Sequence, residues 1–355
     1  MTGRNNAHYG RMVRKLQSIS LKRHATSSGV TMKTKLHGSI IVTYRCNAKC
    51  NMCDVWKFPT KPAEEIRLEV IRKLPDMYFT NVTGGEPFVR QDLPDIITEL
   101  RKKTRRIVIS TNGFFTERIV ELCKRYPDLG IRISIEGLNE ANDLIRGLPG
   151  GYARTQATLK KLQEMGLKDI GFAMTVQDKN YQDLVTLYRM ASDLNYEFAT
   201  AAVHNSHYFQ KKDNRIENKE AVIGEFKRLI GELLKSRKVK EWVRAYFNYG
   251  LINYIQGQPR FLPCEMGQSG FFLDPWGDVL PCNGMDEKMP MGNLKEQSWD
   301  EIWNSPRAKE VRQAVKDCQK NCWMIGSAAP AIWHHPVKPV LWVLKNKIGA
   351  SLRRT

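Results

Sequence analysis

No run of 18 apolar residues occurs in the 355-residue chain, so the sequence offers no transmembrane helix. The opening 36 residues lack the apolar core of a secretory signal, and a cytoplasmic protein is expected. Low-complexity tracts are missing as well, and 42% apolar with 26% charged residues excludes global disorder. Acid is absent from both ends. Residues 1–36 hold eight Lys/Arg and residues 331–355 hold five, with no Asp or Glu in either stretch. These ends carry +13 of the net +19, leaving +6 on the 294 residues between them. A nucleic-acid binder would want its basic face on the folded body, so no nucleic-acid partner is expected. A layer of anionic phospholipid headgroups suits basic ends at least as well, and would make the protein peripheral to a membrane. Plain solubility accounts for them equally.

What the chain does have is cysteine: eight, at positions 46, 50, 53, 123, 264, 282, 318 and 322. In a chain that is not exported these are not expected to form disulfides, and metal binding or catalysis becomes the leading account.

From residue 39 to about 203 one rhythm repeats: a short β-branched run, a loop, then a helical pattern. Strands are predicted at Ser39–Arg45, Tyr78–Thr83, Arg106–Thr111, Gly130–Glu136, Ile170–Val176 and Tyr196–Val203. Helical spacing falls at Glu64–Leu74, Leu93–Lys102 and Tyr152–Met165, the last ended by Gly166 as a left-handed cap. Six β-then-α units require a parallel sheet with right-handed crossovers. Six are too few for a closed eight-stranded barrel, so the fold class is α/β, a partial (β/α)6 TIM-like barrel or a doubly wound sheet. Glu220–Lys235 then reads as an amphipathic helix, and from about Tyr246 onward short segments lose the rhythm. Phe271–Cys282 reads as a hairpin turned by Pro275-Trp276-Gly277. In the tail, Leu341, Leu344, Ile348 and Leu352 fall at helical spacing among Lys and Arg, a stripe for a membrane interface or for the protein's own body.

Cys46, Cys50 and Cys53 are spaced C-x3-C-x2-C directly after the first predicted strand, at the end where such barrels place their chemistry. Three thiolates can bind three irons of a [4Fe–4S] cube and leave the fourth open, as a catalytic metal site needs. Zinc would want a fourth ligand close by, and only Asp54 is on offer.

This loop resembles the signature of the radical S-adenosylmethionine (SAM) superfamily. The resemblance implies that the open iron chelates SAM and that reduction releases a 5′-deoxyadenosyl radical. A one-electron donor such as flavodoxin or ferredoxin is implied with it. Gly84-Gly85-Glu86-Pro87 after strand two matches the family's GGEP element, whose backbone and Glu86 would hold the SAM ammonium. Ser110 and Asn112 end strand three; Ser134 and Glu136, in a variant of the family's S-I-D-G, would meet the methionyl and ribose groups. Arg146 would pair with the SAM carboxylate and Val176 would line the adenine. Met52 stands where the family usually has an aromatic residue, and its sulfur can still pack on adenine.

Cys264, Cys282, Cys318 and Cys322 suit a fully ligated [4Fe–4S] cluster, with zinc the runner-up on ligand count. The layout is similar to the twitch domain, the shortened form of the SPASM domain, which implies one auxiliary cluster that moves electrons or staples the fold. The expected organisation is a basic extension 1–36, a barrel 37–245, a twitch-like domain 246–329 and a basic amphipathic tail 330–355. Cys123 reads as a buried small hydrophobe in a helix. His204 and His207, following strand six, are the better acid–base candidates over His334 and His335.

The cofactor set implies hydrogen abstraction, followed by dehydrogenation or epimerisation. Peptide-modifying relatives often carry a leader-binding domain before the barrel, and the 36 residues here are too few for one. A small polar or sugar-like substrate is therefore expected, a peptide or protein is the alternative, and an iron–sulfur electron carrier without SAM cleavage is the reading of another class.

Overall fold

The computed structural model describes residues 36–352. Its spine, among the described residues, is one nine-stranded sheet in the order β6-β5-β4-β3-β2-β1-β7-β8-β9. The first six strands are β1 (His37–Ile41), β2 (Met77–Thr83), β3 (Thr104–Thr111), β4 (Gly130–Ser134), β5 (Ile170–Val176) and β6 (Glu197–Ala202). Each pairs in parallel with its successor. The crossovers carry α1 (Leu68–Arg72), α2 (Leu93–Arg101), α3 (Thr116–Arg125), α4 (Glu140–Arg146), α5 (Gly151–Glu164) and α6 (Leu184–Asp193). The architecture is the partial α/β barrel that the sequence rhythm predicts. In α2 the buried positions Leu93, Ile96, Ile97 and Leu100 form the apolar stripe that seats a crossover helix on a sheet. Gly166 ends the α5 segment with φ +70°, where a Cβ would be strained.

Three segments differ from expectation. The helix predicted over 64–74 shrinks to α1, because Glu65 is taken by tertiary bonds. Its carboxylate accepts from Thr43 Oγ1 at 2.5 Å, Thr60 Oγ1 at 2.6 Å and Arg45 Nη2 at 2.8 Å. After α7 (Lys219–Lys235) comes α8 (Val239–Ile255), which runs well past Tyr246 into the stretch read as irregular. Its sequence shows little amphipathic contrast because it is covered on two sides. Asn248 accepts from Thr200 of β6 at 2.8 Å, while Gly250 faces Trp323 so closely that a Cβ would lie 2.1 Å from Nε1. Third, β7 (Gly270–Leu273) and β8 (Asp278–Leu280) form the predicted antiparallel hairpin, but β7 also pairs in parallel with β1. The C-terminal cysteine region thus extends the barrel's own sheet.

Beyond β9 (Gly292–Asn293), Ser298 and Ser305 cap α9 (Trp299–Asn304) and α10 (Pro306–Lys316) through hydrogen bonds to Glu301 N and Ala308 N. α11 (Ile325–His334) and α12 (Val337–Leu352) close the chain. α12 packs inward through Trp342, stacked on Tyr249 at 4.9 Å, and Lys347 Nζ donates to the Leu234 and Ser236 carbonyls. The inward side is therefore not the Leu341 side, and Leu341 is exposed. The basic N-terminal stretch through Lys35, and the side chains of Ile348 and Leu352, lie outside the described residues. No described helix is long and apolar enough to cross a membrane.

Candidate active site

The cysteine loop leaves β1 and is clamped on three sides by backbone bonds. Lys49 N and Asn51 N donate to the carbonyls of Arg146 and Ile145 at the end of α4, at 3.0 and 2.9 Å. Asp54 N donates to Phe209 O at 2.9 Å, and Gly85 N and Glu86 N donate to Thr43 O and Arg45 O. The glycine pair makes this approach possible. A Cβ on Gly84 or Gly85 would lie 2.4 Å from Thr43 O or Arg45 O. The sequence suggested that these glycines admit a ligand; the structure shows them admitting the cysteine loop itself.

The clamped loop forms one wall of a 240 Å³ cavity at the C-terminal ends of the strands, far larger than the space of a trapped water. Cys46, Cys50, Cys53 and Met52 line it, joined by Gly84, Gly85, Ser110, Asn112, Ser134, Glu136, Arg146 and His204. Ser110 Oγ donates to Asn81 Oδ1 at 2.9 Å, and Asn112 Nδ2 to Asn47 Oδ1 at 2.7 Å. Glu136 accepts from Thr175 N at 2.7 Å and from Arg146 Nη1 at 3.2 Å. Burial pushes its carboxyl up to about 7, against the pull of Arg146.

Three expected residues are placed differently. Glu86 is fully buried behind the wall, with its carboxylate accepting from Thr111 Oγ1, Asn112 N and Phe88 N at 2.8, 2.7 and 3.1 Å. It organises the ends of β2 and β3 and does not face the cavity; buried Pro87 follows it into a short turn. Val176 points into the core, and its neighbour Thr175 lines the cavity, since adjacent strand residues face opposite sides. His207 does not line the cavity; it lies beside Met285 and Lys288 of the C-terminal region, with Nδ1 buried without a partner. His204 Nδ1 donates to Ala202 O at 3.1 Å, and burial lowers its pKa, so a neutral ring faces the cavity.

Sequence reasoning missed Trp56, Tyr208 and Phe209, which also line the cavity. Tyr208 OH donates to Gly84 O at 2.6 Å. The run His207-Tyr208-Phe209 after strand six was the available signal, an aromatic cluster at the active end of a barrel.

All eight cysteines are free thiols. Burial pushes Cys46 and Cys53 up to about 12, and raises Cys50 as well. Thiols so placed ionise beside strong positive charge, which bound iron would supply. Among the described residues no three His, Cys, Asp or Glu side chains close on a single metal ion. Arg146 fits a SAM carboxylate for a further reason: its Nε is buried without a partner and needs an acceptor.

Cys264, Cys282, Cys318 and Cys322 gather from the turn before β7, the end of β8, the end of α10 and the following loop. Burial pushes Cys282 up to about 12 and raises Cys264, which Arg260 opposes. One apolar cluster, which includes Tyr44, Val55, Tyr208 and Phe272, has Cys53 of the first cysteine set and Cys264 and Cys282 of the second packed against it. Cys123 is buried on α3, away from both. His334 and His335 both engage Glu265, at 3.1 and 2.9 Å.

Residues 40–191 match the radical SAM superfamily, and residues 264–323 match an iron–sulfur cluster-binding domain. Over 85% of this chain and 68% of the relative, the sequence is 27% identical to the antilisterial bacteriocin subtilosin biosynthesis protein AlbA of Bacillus subtilis (strain 168). It is 28% identical to the Fe-coproporphyrin III synthase of Methanosarcina barkeri (strain Fusaro / DSM 804), over 83% of this chain and 78% of the relative. Among solved structures, Streptococcus suis SuiB bound to the precursor peptide SuiA shares the fold. Its TM-score is 0.60 at 17% identity, over 88% of this chain and 76% of that one.

Proposed function

From a chain that belongs to the radical SAM superfamily and carries an iron–sulfur cluster-binding domain behind its barrel, we propose an enzyme that modifies a peptide or protein substrate. Its cofactors are SAM and two [4Fe–4S] clusters, and it is a modifying enzyme whatever its substrate. Cys46, Cys50 and Cys53 would hold the SAM-cleaving cluster; Cys264, Cys282, Cys318 and Cys322 would hold the auxiliary one. Bound there, SAM and the barrel cluster would supply the radical chemistry needed to take hydrogen from an unactivated C–H bond.

The chain's own residues bind and shield. Arg146 would give its unpartnered Nε to the SAM carboxylate while Glu136 balances its charge. Ser110, Asn112, Ser134 and Thr175 would supply the remaining polar contacts, and Met52 would lie on the adenine. Trp56, Tyr208 and Phe209 form an apolar wall that excludes water from a reactive site. His204 is the group in that wall able to accept a proton.

The observation that carries the reading is the apolar cluster shared by Cys53 of the barrel loop and Cys264 and Cys282 of the C-terminal region. A substrate held beside it would reach both sites. A peptide is favoured over the small sugar-like substrate because AlbA serves bacteriocin biosynthesis and SuiB is seen with a precursor peptide. An electron carrier without SAM cleavage would have no use for the ligand cavity.

The test is anaerobic. Reconstituted protein with dithionite and SAM should release 5′-deoxyadenosine, and a short peptide encoded beside the gene should lose hydrogens by mass spectrometry. Turnover of an iron porphyrin with every such peptide unchanged would replace the peptide reading.

A further inference from the structure

The C-terminal helices carry large apolar side chains in contact with solvent. Trp333, at the end of α11, is 71% exposed; Val337 and Leu341, one turn apart on α12, are 68% and 61% exposed. Ile325, at the start of α11, is 56% exposed. They are not remnants of poor docking, since the inward side of α12 is already engaged through Trp342 and Lys347. A bare apolar face of this kind marks an interaction surface.

Charge decides what covers it. Lys338 and Lys345 are exposed on the same helix, and residues 331–355 hold five Lys/Arg with no acid. The acid beside them, Glu265, is engaged by His334 and His335. A second copy of the chain would bring two basic faces together. The basic N-terminal stretch has the same sign of charge and does not complement the face either. An anionic headgroup layer does, and the acyl region beneath it accepts an indole and aliphatic side chains. We propose that α12 and the end of α11 lie on anionic membrane lipid, with Trp333, Val337 and Leu341 immersed and the lysines among the headgroups.

The test uses the full chain with vesicles of phosphatidylglycerol and phosphatidylcholine, against vesicles of phosphatidylcholine alone. Sedimentation with the anionic vesicles only, weakened by added salt, is expected. A W333S/V337S/L341S variant changes exposed positions alone, so its iron content and circular dichroism should match the parent. Its partition should fall about tenfold or more. Absence of sedimentation by the parent would overturn the proposal, and so would undiminished binding by the variant. A parent dimer that the variant converts to monomer would assign the face to self-association instead.

Discussion

The two cysteine sites solve different problems with the same ligand. In the barrel, three thiols lie within eight residues on one loop, and the loop is clamped by the ends of β2 and α4. In the C-terminal region, four thiols are drawn from positions spread between 264 and 322. On the proposed assignment, the short set would leave one position of a four-iron cluster without a protein donor, and the surroundings form a cavity for a ligand. The scattered set would close on its cluster and need only charge balance. Local sequence therefore serves where a small molecule must enter, and distant sequence serves where nothing must.

The sharpest way to break that distinction is to empty one site at a time. Changing Cys46, Cys50 and Cys53 together to Ala should bring 5′-deoxyadenosine to background, while iron falls from about eight to about four per chain. Cys282→Ala should keep SAM cleavage above background and lose the modified product. Equal loss of 5′-deoxyadenosine in both variants, by chromatography, would erase the division of labour.

The clamp itself is the next target. Gly84→Ala and Gly85→Ala each force a Cβ to within 2.4 Å of a carbonyl on the cysteine loop. Backbone must move, at a cost of roughly 1–3 kcal/mol. Both variants should unfold at lower temperature and hold less iron at the barrel site. A glycine whose role was to admit a ligand would instead change SAM affinity with iron content intact, read by isothermal titration.

What the sequence made legible follows the same contrast. Local signals survived translation into structure: β5 runs over Ile170–Val176 as read, the three-cysteine loop sits where the spacing puts it, and Gly166 takes the left-handed conformation. Errors arose where long-range packing decided. Val176 and Thr175 exchanged places because alternation depends on which face of the sheet is core. Glu86 looked like a cavity carboxylate, yet Thr111, Asn112 and Phe88 consume its lone pairs. Nothing local announces that β7 will pair with β1, and α8 lacks the polar face by which a helix is recognised. In the tail, periodicity placed Leu341 on the stripe, but the inward position went to Trp342 because Tyr249 offers it a ring to stack on.

A smaller effect separates the sites by their acids. The Glu136 carboxyl, pushed up to about 7 by burial from an ordinary 4.5, keeps a proton that the unfolded chain has released. Folding therefore takes up a proton between those two values, and stability falls as pH rises through that window. The slope is at most about 1.4 kcal/mol per pH unit. Urea unfolding of iron-free protein should show this slope, and Glu136→Gln should flatten it.

The finest difference is in how each site balances charge. Beside the barrel thiols, Arg146 is committed to Glu136 and to the cavity. Beside the auxiliary thiols, Arg260 lies over the Trp323 ring, donates to Cys322 O, and brings Nη1 within 3.9 Å of Cys322 Sγ. A cation and a donor aimed at a ligand sulfur stabilise the more negative, reduced state of a cluster. In the triple-alanine barrel variant, where one cluster remains, Arg260→Gln should lower its reduction potential, while Arg260→Lys should keep most of it. The shift should be up to about 59 mV, a tenfold change in a one-electron equilibrium. Potentiometry followed by electron paramagnetic resonance reads this directly. A full complement of iron with an unmoved potential in Arg260→Gln would leave the guanidinium only its bond to the Cys322 carbonyl, and the two sites would then balance charge by the same means.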